Sequence, residues 1–166
     1  MERERQKPQR QPGRHQMKRR DLIYLDYNCF QRNFDDPSQI RIQMEALACQ
    51  EIFFRAERGA IRLVWSFMHE DETALCPFTE RKHEVVRLST LCKVFVEPEE
   101  EVHRLAQSLQ QTWKLAPKDA IHLAGAVFAK ADFFLTCDDD LIKRTNQLAL
   151  EIVVMNPVDY LKREGT

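Results

Sequence analysis

From residue 22 to residue 162 short apolar runs alternate with longer amphipathic stretches, the rhythm of a chain built from β–α units. The run Leu22-Ile23-Tyr24-Leu25 has no polar alternation, as expected of a strand buried on both faces of a parallel sheet. Residues 61–67, 93–96, 133–135 and 152–155 carry a similar signature and predict four further strands. Between the first two, Ile40, Met44, Leu47, Ala48, Ile52 and Ala56 recur at steps of three and four, and Ile42, Phe53 and Phe54 widen that face. This predicts a helix over 39–58, laid on the sheet, with Ser38 as N-cap and Gly59 just past its end.

A short helix after residue 67 is broken by Pro77, and Thr79 then caps a helix over 80–91 that turns Val85, Val86 and Leu88 inward. Pro98 opens a helix over 99–113 along the stripe Val102, Leu105, Ala106 and Leu109. Pro117 takes the first position of another, which offers Ala120, Leu123, Ala124, Val127 and Phe128 to the sheet. A helix over 141–150 and a helical turn over 158–162 complete the pattern. Strands each followed by helix imply right-handed parallel crossovers, hence an α/β fold with helices on both faces of a central parallel sheet.

Acidic residues gather at the joints of this pattern. Asp26 follows the first strand, Glu70, Asp71 and Glu72 the second, and Asp138, Asp139 and Asp140 the fourth. Asp119 sits in the first turn of the helix opened by Pro117, with His122 three residues on and on the same side. The carboxyl edge of an open α/β sheet is where sites are built. Each acid also has a plainer use: Asp26 can cap a turn, the 70–72 set can favour a helix N-terminus, and Asp139 and Glu45 can be solvated. Carboxylates collected without a basic residue among them are costly to hold together unless a cation lies between them. Asp26, Glu72, Asp119 and Asp138 therefore form a candidate site for a hard divalent ion, Mg²⁺ or Mn²⁺, bound by one or two carboxylates directly and by the others through water.

Composition removes several classes. With 166 residues, 43% hydrophobic and only 4 Gly, the chain suits one globular core. No apolar run approaches the roughly 18 to 20 residues that span a bilayer, and the charged N-terminus lacks the apolar segment of a secretory signal. Cys29, Cys49, Cys76, Cys92 and Cys137 are odd in number and never form C-x-x-C, so neither a zinc site nor a disulfide framework is expected. Reduced thiols filling a core in a cytoplasmic protein fit better. The net charge of −1 hides an asymmetry, because residues 1–20 hold eight of the 25 basic residues and two of the 26 acidic ones. Such a tail is expected to be disordered and able to touch phosphates without sequence preference, ahead of one domain over 21–164.

Four segments then carry a resemblance: Ile23-Tyr24-Leu25-Asp26-Tyr27-Asn28-Cys29-Phe30, Trp65-Ser66-Phe67-Met68-His69-Glu70-Asp71-Glu72, Lys118-Asp119-Ala120-Ile121-His122, and Phe134-Leu135-Thr136-Cys137-Asp138-Asp139-Asp140-Leu141. In order and position they resemble the successive acidic motifs of PIN-domain ribonucleases, over about residues 22 to 162. The resemblance implies a three-layer α/β/α sandwich, Mg²⁺- or Mn²⁺-dependent hydrolysis of RNA, and for many members the role of toxin in a bacterial toxin–antitoxin pair, with an antitoxin partner and often a homodimer. It implies Asp26, Glu72, Asp119 and Asp138 as metal-binding acids, Asp140 as an additional one, and Asn28 and Thr136 as residues that orient the site. Glu70 competes with Glu72 for the second place, although the distance of Glu72 from Ser66 matches the family better. Tyr27 stands where the family often has Thr or Ser, and His122 is expected as a core or supporting residue more than as a substrate contact.

Two other readings compete. Haloacid-dehalogenase phosphatases also place an Asp after the first strand, but their D-x-D motif supplies a second Asp as general acid where this chain has Asn28. A catalytically inactive PIN-like fold could serve as a binding module, its acidic pocket accepting an Arg from a partner.

Overall fold

The computed structural model describes residues 18–163; the basic tail expected over 1–20 lies almost wholly outside the described residues. Five strands, β1 (Leu22–Leu25), β2 (Arg62–Ser66), β3 (Val94–Val96), β4 (Phe133–Leu135) and β5 (Val153–Met155), form one sheet in the order β3-β2-β1-β4-β5. All four pairings are parallel, with Ile23 opposite both Leu63 and Phe133. The helices are α1 (Tyr27–Gln31), α2 (Ile40–Glu57), α3 (Phe67–Leu75), α4 (Thr79–Ser89), α5 (Glu100–Trp113), α6 (Pro117–Phe128), α7 (Asp139–Thr145) and α8 (Pro157–Lys162), with a 3-10 turn over Arg32–Phe34.

Strand side chains alternate between two cores. Ile23, Leu25, Leu63, Trp65, Phe133 and Leu135 pack with α1, α2, α4 and α8, and Tyr24, Val64, Val96, Phe134 and Val154 with α5, α6 and α7. This is the three-layer α/β/α sandwich that the pattern predicts. The chain moves outward from β1 to β2 and β3 with its covering helices on one face, then returns across β1 to β4 and β5 with them on the other. Crossovers of one hand require that change of face when the direction reverses. The reversal puts a topological switch point between β1 and β4, the place at whose carboxyl ends open α/β sheets build their sites.

Several local expectations are revised. Ser38 does not cap α2; it donates its hydroxyl to Asp36, and Gln39 occupies the cap without a side-chain bond. The far end follows expectation, with Gly59 at φ +72° and the amides of Gly59 and Ala60 closing on Ala56 and Arg55. The buried stripe of α2 is rotated from the predicted one: Glu45, Ala48, Cys49, Ile52 and Phe53 are buried, while Ile40, Met44, Leu47 and Phe54 are exposed. Glu45, expected to be solvated, is only 1% exposed because Arg32, Arg41 and Asn156 supply it with donors. In α4 Val86 also faces outward. Helix α7 stops at Thr145, five residues before its predicted end, where the Thr145 hydroxyl bonds the Leu141 and Ile142 carbonyls.

Candidate active site

Asp26 leaves β1 at the switch point and becomes the N-cap of α1, its Oδ1 accepting from the Tyr27 amide at 2.8 Å. The Thr136 hydroxyl, just past β4, donates to Asp26 Oδ2 at 2.7 Å, and Asn28 Nδ2 reaches the same oxygen at 3.3 Å and Thr136 Oγ1 at 3.2 Å. Asn28 Oδ1 in turn accepts from the Cys137 amide. Asn28 and Thr136 thus lock the ends of β1 and β4 together around one carboxylate. Burial pushes the Asp26 carboxyl above its ordinary pKa, His122, Thr136 and the Tyr27 amide pull it back, and Glu72 pushes it further up.

Asp119, in the first turn of α6, is partly buried and has no hydrogen-bond donor among the described residues. Its pKa is raised by burial and then by the charges of Asp26 and Asp138, with Glu72 adding to them against His122. Asp138 caps α7 and accepts from the Asp140 and Leu141 amides through Oδ1. Four chain segments therefore bring Asp26, Glu72, Asp119 and Asp138 within electrostatic reach of one another. Among the described residues, no three of these acids place oxygens within 4.8 Å of one another, the spacing at which a group could jointly hold an ion. An oxygen-only set in which burial and neighbouring carboxylates raise Asp26 and Asp119 fits a hard cation held by one or two carboxylates, with waters completing its shell.

The acids at 70 and 72 are separated by the turn of α3. Glu72 accepts from His122 Nε2 at 2.9 Å and from Lys118 Nζ at 3.1 Å, both on α6. Burial would raise its pKa, but His122 and Lys118 outweigh it and hold the carboxyl below its ordinary value. Glu70 is exposed and accepts from Trp65 Nε1 at 2.9 Å, which turns it away from α6. The other two acids of the 138–140 run do less. Asp139 is tied to Arg41 of α2, and Asp140 gives its amide to Asp138 while its carboxylate remains exposed.

Behind Glu72 runs a buried chain of polar groups. His122 Nδ1 lies 2.7 Å from the Tyr24 hydroxyl, which lies 2.7 Å from Ser66 Oγ. His69 Nδ1 accepts from the Ser66 amide, and its Nε2 lies 2.7 Å from the Leu25 carbonyl. Directions follow from the two ends. The Leu25 carbonyl can only accept, so His69 carries its proton on Nε2, consistent with burial depressing its pKa well below the usual histidine value. The Glu72 carboxylate requires a proton on His122 Nε2, which leaves Nδ1 to accept from Tyr24 when the ring is neutral. Tyr24, His69 and Arg41 were not singled out in the sequence, Ser66 served there only to place Glu72, and Glu45 was expected to be solvated. The signal for Tyr24 was present, since a hydroxyl in the middle of a buried strand needs a partner.

No protein-family profile matches the chain, and no curated protein sequence does. Solved structures share its fold. A chain of the crystal structure of VapBC2 from Rickettsia felis bound to a DNA fragment from their promoter superposes with a TM-score of 0.54 at 11% identity, covering 81% of this chain and 98% of that one. A chain of FitAcB from Neisseria gonorrhoeae gives 0.52 at 19% identity, covering 81% and 97%.

Proposed function

We propose that this protein is a Mg²⁺- or Mn²⁺-dependent ribonuclease that hydrolyses RNA phosphodiester bonds, of the toxin type found in toxin–antitoxin pairs. One observation carries the reading: Asp26, Glu72, Asp119 and Asp138 converge at the switch point, two of them with carboxyls raised by burial and by the charges of their neighbours. The motifs that resemble PIN-domain ribonucleases supply these acids, and the fold shared with chains of VapBC2 and FitAcB supports the same assignment. Asp119 and Asp138 offer the most available oxygens, Asp26 is held in place by Thr136 and Asn28, and Glu72 by His122 and Lys118. A divalent ion bound there supplies charge neutralisation at the phosphate and a more acidic attacking water. The resemblance brings with it an antitoxin or a second copy as protein partner, and the exposed Ile40, Met44 and Leu47 of α2 together with Leu75, Phe78 and Val86 offer apolar surface for one. No helix among the described residues is long and apolar enough to cross a membrane.

The test is cleavage of RNA by the purified protein on addition of Mn²⁺ or Mg²⁺, with Asp119→Asn abolishing it. Cleavage that persists in EDTA, or an unchanged rate in the variant, overturns the reading. Asn28 donates to Asp26 and Thr136 and has no acidic proton to give, which disfavours the phosphatase alternative. Turnover of para-nitrophenyl phosphate without RNA cleavage would reverse that preference.

A further inference from the structure

Three cysteines that the sequence keeps far apart meet in the fold. Cys29 of α1, Cys49 of α2 and Cys137 at the exit of β4 are 2%, 3% and 7% exposed, and their sulfurs all lie within 4.8 Å of one another. The spacing rules that exclude a zinc site do not see such a cluster, because its members come from three separate elements. Its surroundings are also unlike those of thiols that merely fill a core. The buried Glu45 carboxylate acts electrostatically on the Cys49 and Cys137 thiols. The Arg32 guanidinium bonds Asp35 and Glu45, acts electrostatically on Cys49 and Cys137, and leaves its buried Nε–H without an acceptor among the described residues. A cation with an orphaned donor beside clustered thiols is costly in an apolar layer and favourable beside an anionic one.

We propose that Cys29, Cys49 and Cys137 form a thiolate site for a thiophilic cation, Zn²⁺, with Glu45 next to its fourth position. Zinc–sulfur bonds of about 2.3 Å put the sulfurs of a tetrahedral site about 3.8 Å apart, so sulfurs already within 4.8 Å need to close by no more than about 1 Å. On binding, the thiol protons leave to solvent as zinc–sulfur bonds form, and no electrons are transferred. The soft sulfur set and the hard oxygen set select different ions, so the two sites do not compete. A metal here would brace α1, α2 and the end of β4. Cys29 adjoins Asn28 and Cys137 adjoins Asp138, so the bracing would reach the residues that hold the acids. The inference does not depend on the proposed function and stands whether or not RNA is the substrate.

The experiment titrates the fully reduced, full-length protein anaerobically with Co²⁺ and then Zn²⁺. One equivalent of Co²⁺ is expected to give a thiolate-to-cobalt charge-transfer band in the near ultraviolet that Zn²⁺ bleaches. Cys49→Ser is expected to weaken binding at least about tenfold, and Asp119→Asn to leave the band unchanged. Zinc should also slow alkylation of Cys29, Cys49 and Cys137, followed by peptide mapping, without slowing that of Cys76. A reduced wild-type protein without the band, a band that survives Cys49→Ser, or one lost in Asp119→Asn overturns the proposal. If Cys49→Ser does not fold by circular dichroism, the wild-type alkylation map decides, and lack of zinc protection at the three thiols overturns the site.

Discussion

Replacing Tyr24 by Phe removes a single oxygen and asks whether the buried chain behind Glu72 positions it. Tyr24 is fully buried and its ring stacks on Phe134 with centroids 5.3 Å apart, so the ring volume and its packing are retained. The lost hydroxyl has two partners, each at 2.7 Å. Ser66 Oγ keeps a second contact, His69 Nδ1 at 3.0 Å, whereas His122 Nδ1 is left unpaired in a place closed to water. One orphaned polar atom costs about 1–3 kcal/mol, and at this chain length each kcal/mol lowers Tm by about 2–4 °C, so a fall of about 2–12 °C is expected.

The functional consequence is separate. Without the Tyr24 hydroxyl nothing fixes which nitrogen His122 turns to Glu72, and loss of such a supporting contact costs about 10- to 100-fold in metal affinity. The assay measures thermal unfolding and, in parallel, RNA cleavage against Mn²⁺ concentration. The midpoint for Mn²⁺ should rise by that factor, with the rate recovering at saturating metal. A lowered Tm with an unmoved metal midpoint would reduce the chain to a packing device. If neither changes, the hydrogen bonds are not being made. Ser66→Ala is the control, since Tyr24 then still donates to His122 and the metal midpoint should hold.

The raised carboxyls make a prediction about pH. Asp26 and Asp119 bind a proton more tightly folded than unfolded, so the metal-free protein gains stability as pH falls through their raised folded values, and the gain is complete below the unfolded value of about 3.9. Glu72 has the opposite sign, and its contribution is lost as pH falls through its lowered folded value. In EDTA at neutral pH, Asp119→Asn should therefore have a higher Tm than wild type, with the gap closing as the solution is acidified; a variant less stable than wild type at neutral pH would contradict this. Glu72→Gln should weaken metal-dependent cleavage, while Glu70→Gln, whose amide oxygen can still accept from Trp65, should leave it within about twofold; equal losses would show that the two acids share the role. Gly125→Ala places a methyl 3.5 Å from the Tyr24 ring, an ordinary contact inside a helix, so denaturant unfolding should show it neutral to about 1 kcal/mol more stable, and a loss of more than about 1 kcal/mol would mean that the ring cannot tolerate the contact.

The elements were legible because burial on two faces leaves a strong imprint: β1 and β4 are uninterrupted apolar runs, and Pro117 marks the start of α6. Where that imprint was absent the reading slipped. Helix α2 is apolar around much of its circumference, so periodicity could not say which face met the sheet, and a charged residue, Glu45, took a buried place that no hydrophobic scale assigns to it. The acids themselves could be named one by one, because each ends a strand or starts a helix. The resemblance also offered Asn28, Thr136 and His122 as supporting residues, but which group each would bond could not be read, since Tyr24 and His122 lie 98 residues apart and Thr136 and Asp26 lie 110 apart. Such pairs exist only once β1 lies between β2 and β4, and strand order is a tertiary fact.

The same distinction explains why the thiols escaped notice while the acids did not. Carboxylates at a sheet edge are conspicuous in sequence because burying charge there is expensive and needs a reason. Thiols are cheap to bury anywhere, so Cys29, Cys49 and Cys137 match the pattern of core residues as well as they match that of ligands. Only the charges around them separate the two cases: Glu45, which was expected to be solvated, and Arg32, on which the pattern is silent. The ion pairs of the buried Glu45 with Arg32 and Arg41, and the exposed pair from α2 to the start of α7, therefore carry information that hydrophobic patterning discards. If the Arg32 and Glu45 charges serve a metal, replacing both with apolar residues should spare the fold and abolish zinc protection of the thiols. If they serve the fold alone, the same double substitution should leave the thiols as they were.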